Sequence, residues 1–342
     1  MSTLNIEAAA FAGLVDLASE RLGGKALLAS DEFFAPKENL LKPGRGMFIP
    51  DKYTDRGKWM DGWETRRKRV KGHDWCIIKL GLAGILKGVD IDTNHFLGNN
   101  PAYTSIEACA ANESATARKL ISQDIQWTEI LSKSPIKPGS QNIFSVSSQR
   151  RWTHLRLNIY PDGGVARFRA YGEVVPDWSR AKAGPKGAGQ VIDLVAIQHG
   201  GLAVAASDMF FSPMNNLIMP GRAATMRDGW ETRRRRGPGY DWVIIKLGRK
   251  GYPRKVEVDT NHFKGNYPDR CSIDVCNEPA VDSLNVHSVG WTEILPKTKL
   301  KPHTRHFFEK ELKKAGPATH VRLNIYPDGG VSRLRVWGRI AE

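Results

Sequence analysis

The 342-residue chain holds only four cysteines, Cys76, Cys109, Cys271 and Cys276, and none of them forms a Cys-x-x-Cys pair. That excludes a zinc knuckle and a dense disulfide framework, and it fits a reducing compartment. Long apolar runs are also missing: none approaches the roughly 20 residues that span a bilayer. The first residues contain Glu7, Asp16 and Glu20 and lack a basic stretch followed by a long apolar core, so they do not read as a secretory signal. The chain ends Arg339-Ile340-Ala341-Glu342, which is no peroxisomal address. The expected compartment is the cytoplasm. Glycine-rich phosphate loops, zinc-finger spacing, RNA-reading signatures and assignable Ser/His/Asp or Cys/His constellations are absent too, and little of the chain has helical periodicity.

What the sequence does contain, it contains twice. Asp61-Gly62-Trp63-Glu64-Thr65-Arg66-Arg67 returns unchanged as Asp228-Gly229-Trp230-Glu231-Thr232-Arg233-Arg234. A run this rich in uncommon and charged residues does not recur by chance, and internal repetition decides architecture first. Other blocks repeat in the same order. Ser30-Asp31-Glu32-Phe33-Phe34 is answered by Ser207-Asp208-Met209-Phe210-Phe211, and Pro43-Gly44-Arg45 by Pro220-Gly221-Arg222. The first copy holds roughly ten extra residues between these blocks and the seven-residue motif, around Met47 to Trp59, as a surface loop would.

Composition is that of a globular protein, with 41% hydrophobic and 25% charged residues, and each half is long enough to bury its own core. Lys and Arg number 51 against 36 Asp and Glu, a net charge of +15 that favours anionic partners or substrates through long-range attraction without choosing between them. The runs Arg66-Arg67-Lys68-Arg69 and Arg233 to Arg236 resemble nucleic-acid patches in isolation, but each extends the repeated motif. Neither nucleic acid nor membrane is an expected partner; a homo-oligomer is permitted without being indicated.

Residues 4–22 place Leu4, Ala8, Phe11, Leu14, Val15, Ala18 and Leu22 at three-and-four spacing, which predicts an amphipathic helix. Beyond it the signals are β. Asp74 to Gly81 and Asp241 to Gly248 are short apolar runs of the kind that form strands buried on both faces. Val89 to Asp92 and Val256 to Asp259 alternate as half-buried strands, ending at Asn94-His95 and Asn261-His262. Leu155, Leu157 and Ile159 alternate with Arg156 and Asn158 ahead of Pro161-Asp162-Gly163-Gly164, which predicts a hairpin whose return strand sets Phe168 against them. The second copy repeats this through Leu334. Arg156, Arg167 and Arg169, with Arg322, Arg333 and Arg335, should then share one sheet face. The fold expected is all-β, two tandem β-sandwiches over residues 1–180 and 191–342, joined by a Pro-, Gly- and Lys-rich linker at 181–190.

Two clusters offer chemistry. The seven-residue motif combines carboxylates, an indole and planar guanidinium forks that pair bidentately with an anion's carboxylate. Asp92-Thr93-Asn94-His95 and Asp259-Thr260-Asn261-His262 set a carboxylate, an amide and an imidazole at a strand end, suited to substrate hydrogen bonds or to a metal. The local residues supply only Asp and His, so no metal or other cofactor is expected, although a divalent ion is compatible with them. The plain alternative is that Trp63 and Trp230 fill the core while Glu and Arg pair with each other.

These blocks, with Trp127-Thr128-Glu129-Ile130-Leu131 and Arg156 to Gly164 and their second copies, resemble the allantoicase repeat across nearly residues 15–340. The resemblance implies two jelly-roll sandwiches of the galactose-binding-domain kind. It also implies hydrolysis of allantoate to ureidoglycolate and urea, a step of allantoin degradation and nitrogen recovery. On that footing Arg66, Arg67, Arg233 and Arg234 are candidates to hold the substrate carboxylate, and Asn94 and Asn261 to orient its ureido groups. Glu64, Asp92 and His95, with Glu231, Asp259 and His262, are candidates for the proton transfers. The rival reading is a non-catalytic jelly-roll protein that binds a small anion or a carbohydrate.

Overall fold

The computed structural model describes residues 11, 13–178, 191–282 and 284–341. Their contacts divide the chain into two compact units, 1–175 and 176–342. The expected linker at 181–190 and residues 4–10 of the expected helix lie outside the described residues.

Both units are built almost wholly of strands. In the first these are β1 (Val15–Asp16), β2 (Lys25–Ala29), β3 (Tyr53–Thr54), β4 (Gly57–Lys58), β5 (Trp63–Glu64), β6 (Asp74–Asp92), β7 (Tyr103–Cys109), β8 (Thr128–Pro135), β9 (Gln141–Ser145), β10 (Arg151–Tyr160), β11 (Gly164–Val165) and β12 (Arg167–Val174). The second unit repeats this order without the β3–β4 hairpin, which belongs to the extra residues of the first copy. The helix expected over residues 4–22 is not what the described part of that segment forms. Val15 instead pairs with Gly172, and the Asp16 carboxylate accepts the N–H groups of Ala18 and Ala170, tying this segment to the edge of the sheet.

The two strands expected between residues 74 and 96 are one strand, 19 residues long, with a 19-residue counterpart at Asp241–Asp259. Its first half lies between β2 and β10, so that Lys79 faces both Lys25 and His154. Its second half lies between β9 and β12, so that Val89 faces both Phe144 and Ala170. One strand therefore serves both layers of the sandwich. Gly84 and Gly251 let it turn over: a Cβ at either position would run into a carbonyl of the last strand, Glu173 O or Arg339 O.

This arrangement also corrects the hairpin expected at Pro161-Asp162-Gly163-Gly164. β10 and β12 do not pair with each other; each pairs with its own half of β6, and the turn carries the chain from one layer to the other. Arg156 consequently sits on the layer opposite Arg167 and Arg169, not on one shared face. Phe168, Ile91, Leu155, Leu157 and Ile159 are fully buried between the layers.

The turn docks on the repeated motif. β11 pairs with β5, setting Gly164 opposite Glu64 and Val165 opposite the fully buried Trp63. Trp63 and Trp230 are core residues whose indole N–H groups donate to the Asp31 and Asp208 carbonyls at 2.8 Å. A Cβ on Gly164 or Gly330 would strike the ring of Phe96 or Phe263. Gly164→Ala is expected to destabilise the first unit by about 1–3 kcal/mol through overpacking, read as a shift of the chemical denaturation midpoint; an unchanged midpoint would show that the ring can yield.

Candidate active site

Because β6 starts and finishes at the same end of the sandwich, that end collects Asp31, the Pro43-Gly44-Arg45 loop, the seven-residue motif, the turn after Asp92, and Asp162. Short local bonds lock them together. Ala166 N–H donates to Asp92 O, Gly164 N–H to Asn99 O, and Thr65 N–H to Gly163 O. Each candidate residue lies at this end, but they form several pairs and not one cluster.

Glu64 and Glu231 are half-buried, and each accepts a hydrogen bond from an asparagine amide: Asn99 at 2.6 Å and Asn266 at 2.5 Å. Burial raises both carboxyls above the ordinary glutamate range, and the amide bond only partly opposes it.

Asp92 and Asp259 have a different setting. Asp92 is buried and accepts two bonds from the Arg45 fork, both at 2.9 Å, and a third from Asn94 N–H. Asp259 is matched to Arg222 at 3.2 Å and to Asn261 N–H at 2.9 Å. A buried carboxylate so occupied anchors a guanidinium, and the arginine side chains remain 50% and 53% exposed. The side-chain amides of Asn94 and Asn261 reach back to Gly46 O and Ala223 O, pinning the Pro-Gly-Arg loop.

His95 and His262 both adopt φ = 69°, a left-handed conformation uncommon outside glycine. Their surroundings differ. His95 is exposed and stacks on Phe48 of the extra segment, ring centroids 5.5 Å apart. His262 donates its backbone N–H to His303 Nδ1 and sets Nε2 2.9 Å from Ala223 O.

The motif arginines are displayed outward. Arg66 and Arg233 spread their forks over Asp31 and Asp208, at 2.7–3.0 Å and 3.1–3.2 Å. Their side chains are nonetheless mostly exposed. Arg67 is 3.9 Å from Asp162 and exposed, and Arg234 is exposed with no carboxylate partner among the described residues. Arg234 lines a pocket of about 320 Å³ with Ser207, Asp208, Arg233, Arg235 and Asp241. Among the described residues, no three His, Cys, Asp or Glu side chains are grouped to hold one metal ion.

Sequence reasoning passed over Asp31, Arg45 and Asn99 and their copies Asp208, Arg222 and Asn266. The signal was present, since all six stand in blocks that occur twice.

Fold and site together define a tandem jelly-roll protein of duplicated origin, with an arginine-and-carboxylate rim at one end of each copy. The pattern of the Allantoicase repeat family matches residues 15–175 and 192–341, one match to each unit. A probable allantoicase 2 of Burkholderia pseudomallei is 50% identical over 329 residues, covering 96% of this chain and 95% of that one. The allantoicase of Dictyostelium discoideum is 47% identical over 323 residues, covering 94% and 86%. The crystal structure of allantoicase from Saccharomyces cerevisiae superposes with a TM-score of 0.78 at 39% identity, covering 95% of this chain and 92% of that one. The chain belongs to the allantoicase family.

Proposed function

We infer that this protein hydrolyses allantoate to ureidoglycolate and urea, in the degradation of allantoin. The observation that carries the chemistry is the presence, at one end of each unit, of both a half-buried glutamate whose carboxyl burial raises above the ordinary range and a half-exposed arginine held on a buried aspartate. Allantoate carries one carboxylate and two ureido groups on a single carbon. Arg45 and Arg222 take the carboxylate, with Arg67 and Arg234 adding positive field at the rim. Arg66 and Arg233 hold the Ser-Asp-Xaa-Phe-Phe loop through Asp31 and Asp208 while their exposed edges face the substrate. Asn94 and Asn261 keep the arginine-bearing loop in place.

The departing ureido nitrogen needs a proton as its bond to the central carbon breaks. Glu64 or Glu231 supplies it, the carboxylate being steadied by Asn99 or Asn266. Water then forms the new C–O bond and returns a proton to the same glutamate, which balances the reaction. His95 and His262, at the edge of this region, complete the polar wall. The four cysteines are buried and free, and the cytoplasm is the compartment we propose for the reaction.

The test is urea release from allantoate by the purified protein, with and without prior chelation. Urea is expected in step with allantoate consumed, and turnover that survives chelation assigns the proton transfers to these side chains. Activity lost to a chelator and restored by one divalent ion would transfer Asp92, His95, Asp259 and His262 to the role of metal ligands. No urea under either condition would overturn the reading.

A further inference from the structure

The two rims are not equivalent. Gln141 of β9 lies opposite Asp92, and at the same register of the second unit Arg305, in the strand Arg305–Phe308, lies opposite Asp259. Gln141 gives a single hydrogen bond to Asp90, at 2.8 Å. Arg305 spreads its fork over Glu257 at 2.5 and 3.1 Å. The extra methylene of Glu257 relative to Asp90 brings its carboxylate out to that fork. Glu257 and Asp259 stand two residues apart on one face of a strand, so the guanidinium groups of Arg305 and Arg222 flank Asp259, and Arg305 is 46% exposed. The first unit has one such group, Arg45.

We propose that the second unit is the tighter site for the carboxylate of the substrate, because Arg305 adds a second anchored guanidinium beside Arg222 where the first unit has Gln141 beside Arg45. This rests on the reading that allantoate binds at the rim. One fork pairs with the carboxylate, and the other donates to a ureido oxygen or shares the charge. Charge balance points the same way. In the ion network that includes Asp92 stand Arg45 and Arg169 with Asp16, Asp90 and Asp92; in the one that includes Asp259 stand Arg222, Arg305 and Arg335 with Asp193, Glu257 and Asp259. With every carboxylate ionised, the first group carries one excess negative charge and the second none.

The unbalanced group is Asp90. Its Oδ1 is buried without a hydrogen-bond partner, and its neighbours are Gln141, Asp92, Arg169, Arg45 and Tyr171. Burial pushes its carboxyl up to about 7, Gln141 opposing and Asp92 adding to the rise. As pH climbs through that region Asp90 acquires a charge that repels an anion at Arg45. At the matching position Glu257 faces the fork of Arg305, so its charge is paired where that of Asp90 is not.

The experiment uses the full chain and two reciprocal double variants. Glu257→Asp with Arg305→Gln installs in the second unit the pair that the first unit already folds around. Asp90→Glu with Gln141→Arg does the reverse. Binding is read by calorimetry with hydantoate, which carries a carboxylate and one ureido group and has no second ureido group to lose; turnover of allantoate is read separately as KM and kcat. The first variant is expected to weaken the tighter hydantoate site and raise KM by about tenfold, the size of one charge-assisted hydrogen bond, with kcat little changed. The reverse variant is expected to tighten the weaker site. Hydantoate affinities and KM unmoved in both variants, or a loss confined to kcat, would overturn the proposal. Wild-type protein that releases no urea while hydantoate binding responds as expected would overturn the enzyme reading and leave this one standing.

Discussion

Replacing Glu64 and Glu231 together by glutamine is expected to lower kcat for allantoate by about 10²–10⁴-fold, the usual worth of a positioned general acid, with a much smaller change in KM. Glutamine keeps the shape and keeps an oxygen for the Asn99 or Asn266 amide, so what is lost is the proton. Burial holds both wild-type carboxyls above the ordinary range against the bond from asparagine, and the acid form therefore persists to higher pH than for a free glutamate. Wild-type kcat should fall as pH rises through that elevated value, and the residual rate of the double variant should lack this limb. The stability sign is the opposite of that for an ion-paired carboxylate. A glutamate whose folded pKa is raised contributes stability below its unfolded pKa and loses it as pH rises through the folded value. The variants should therefore melt no lower than wild type at neutral pH. Single variants then apportion turnover between the units, Glu231→Gln costing more than Glu64→Gln at limiting substrate if the second rim binds tighter. An undiminished kcat in the double variant with native circular dichroism would remove these residues from the mechanism.

The features legible in the sequence are those written locally. Period-two alternation in Val89 to Asp92, the turn residues after Tyr160 and the verbatim recurrence of Asp-Gly-Trp-Glu-Thr-Arg-Arg were enough for two all-β units, as the strands of the two units agree. Tertiary pairing was not legible. Nothing near Gly84 says that the strand continues over the sandwich edge, because the reason lies in β12, whose carbonyl a side chain there would hit. The apolar spacing of residues 4–22 read as helical although Val15 and Asp16 join a sheet edge, since β1 is too short to impose its own period. The site divided in the same way. Candidate carboxylates and arginines were visible, but Arg66 meets Asp31 across 35 residues and Arg45 meets Asp92 across 47. The sequence displayed the forks without showing which were anchored and which were offered to solvent.

Arg167→Ala is expected to be the most damaging single change to stability. Arg167 and Asp61 are a buried ion pair, 2.7 Å apart, and the same guanidinium donates to the Asp61 and Ala166 carbonyls at 2.9 and 2.7 Å. Asp61 also accepts Met47 N–H at 2.9 Å, so the pair fastens the motif to the start of β12 and to the loop that carries Arg45. Burial alone would raise the Asp61 carboxyl; the Arg167 bond, the Met47 bond and the Arg167 charge together hold it below the ordinary range. Truncating the arginine strands that carboxylate, which costs about 3–5 kcal/mol and lowers the melting temperature of a unit this size by roughly 10 °C. The sign of the pH dependence follows from the lowered pKa. Stability from the pair is present above the unfolded aspartate value and is lost as pH falls through the folded one, so Arg167→Ala should narrow the gap to wild type in acid. Adding Asp61→Asn to Arg167→Met removes both charges, and recovery of part of the loss is expected because no buried charge is then left unpaired. A melting temperature unchanged in Arg167→Ala would mean that water reaches Asp61, and that the loop bearing Arg45 is held by Asn94 and Asp92 alone.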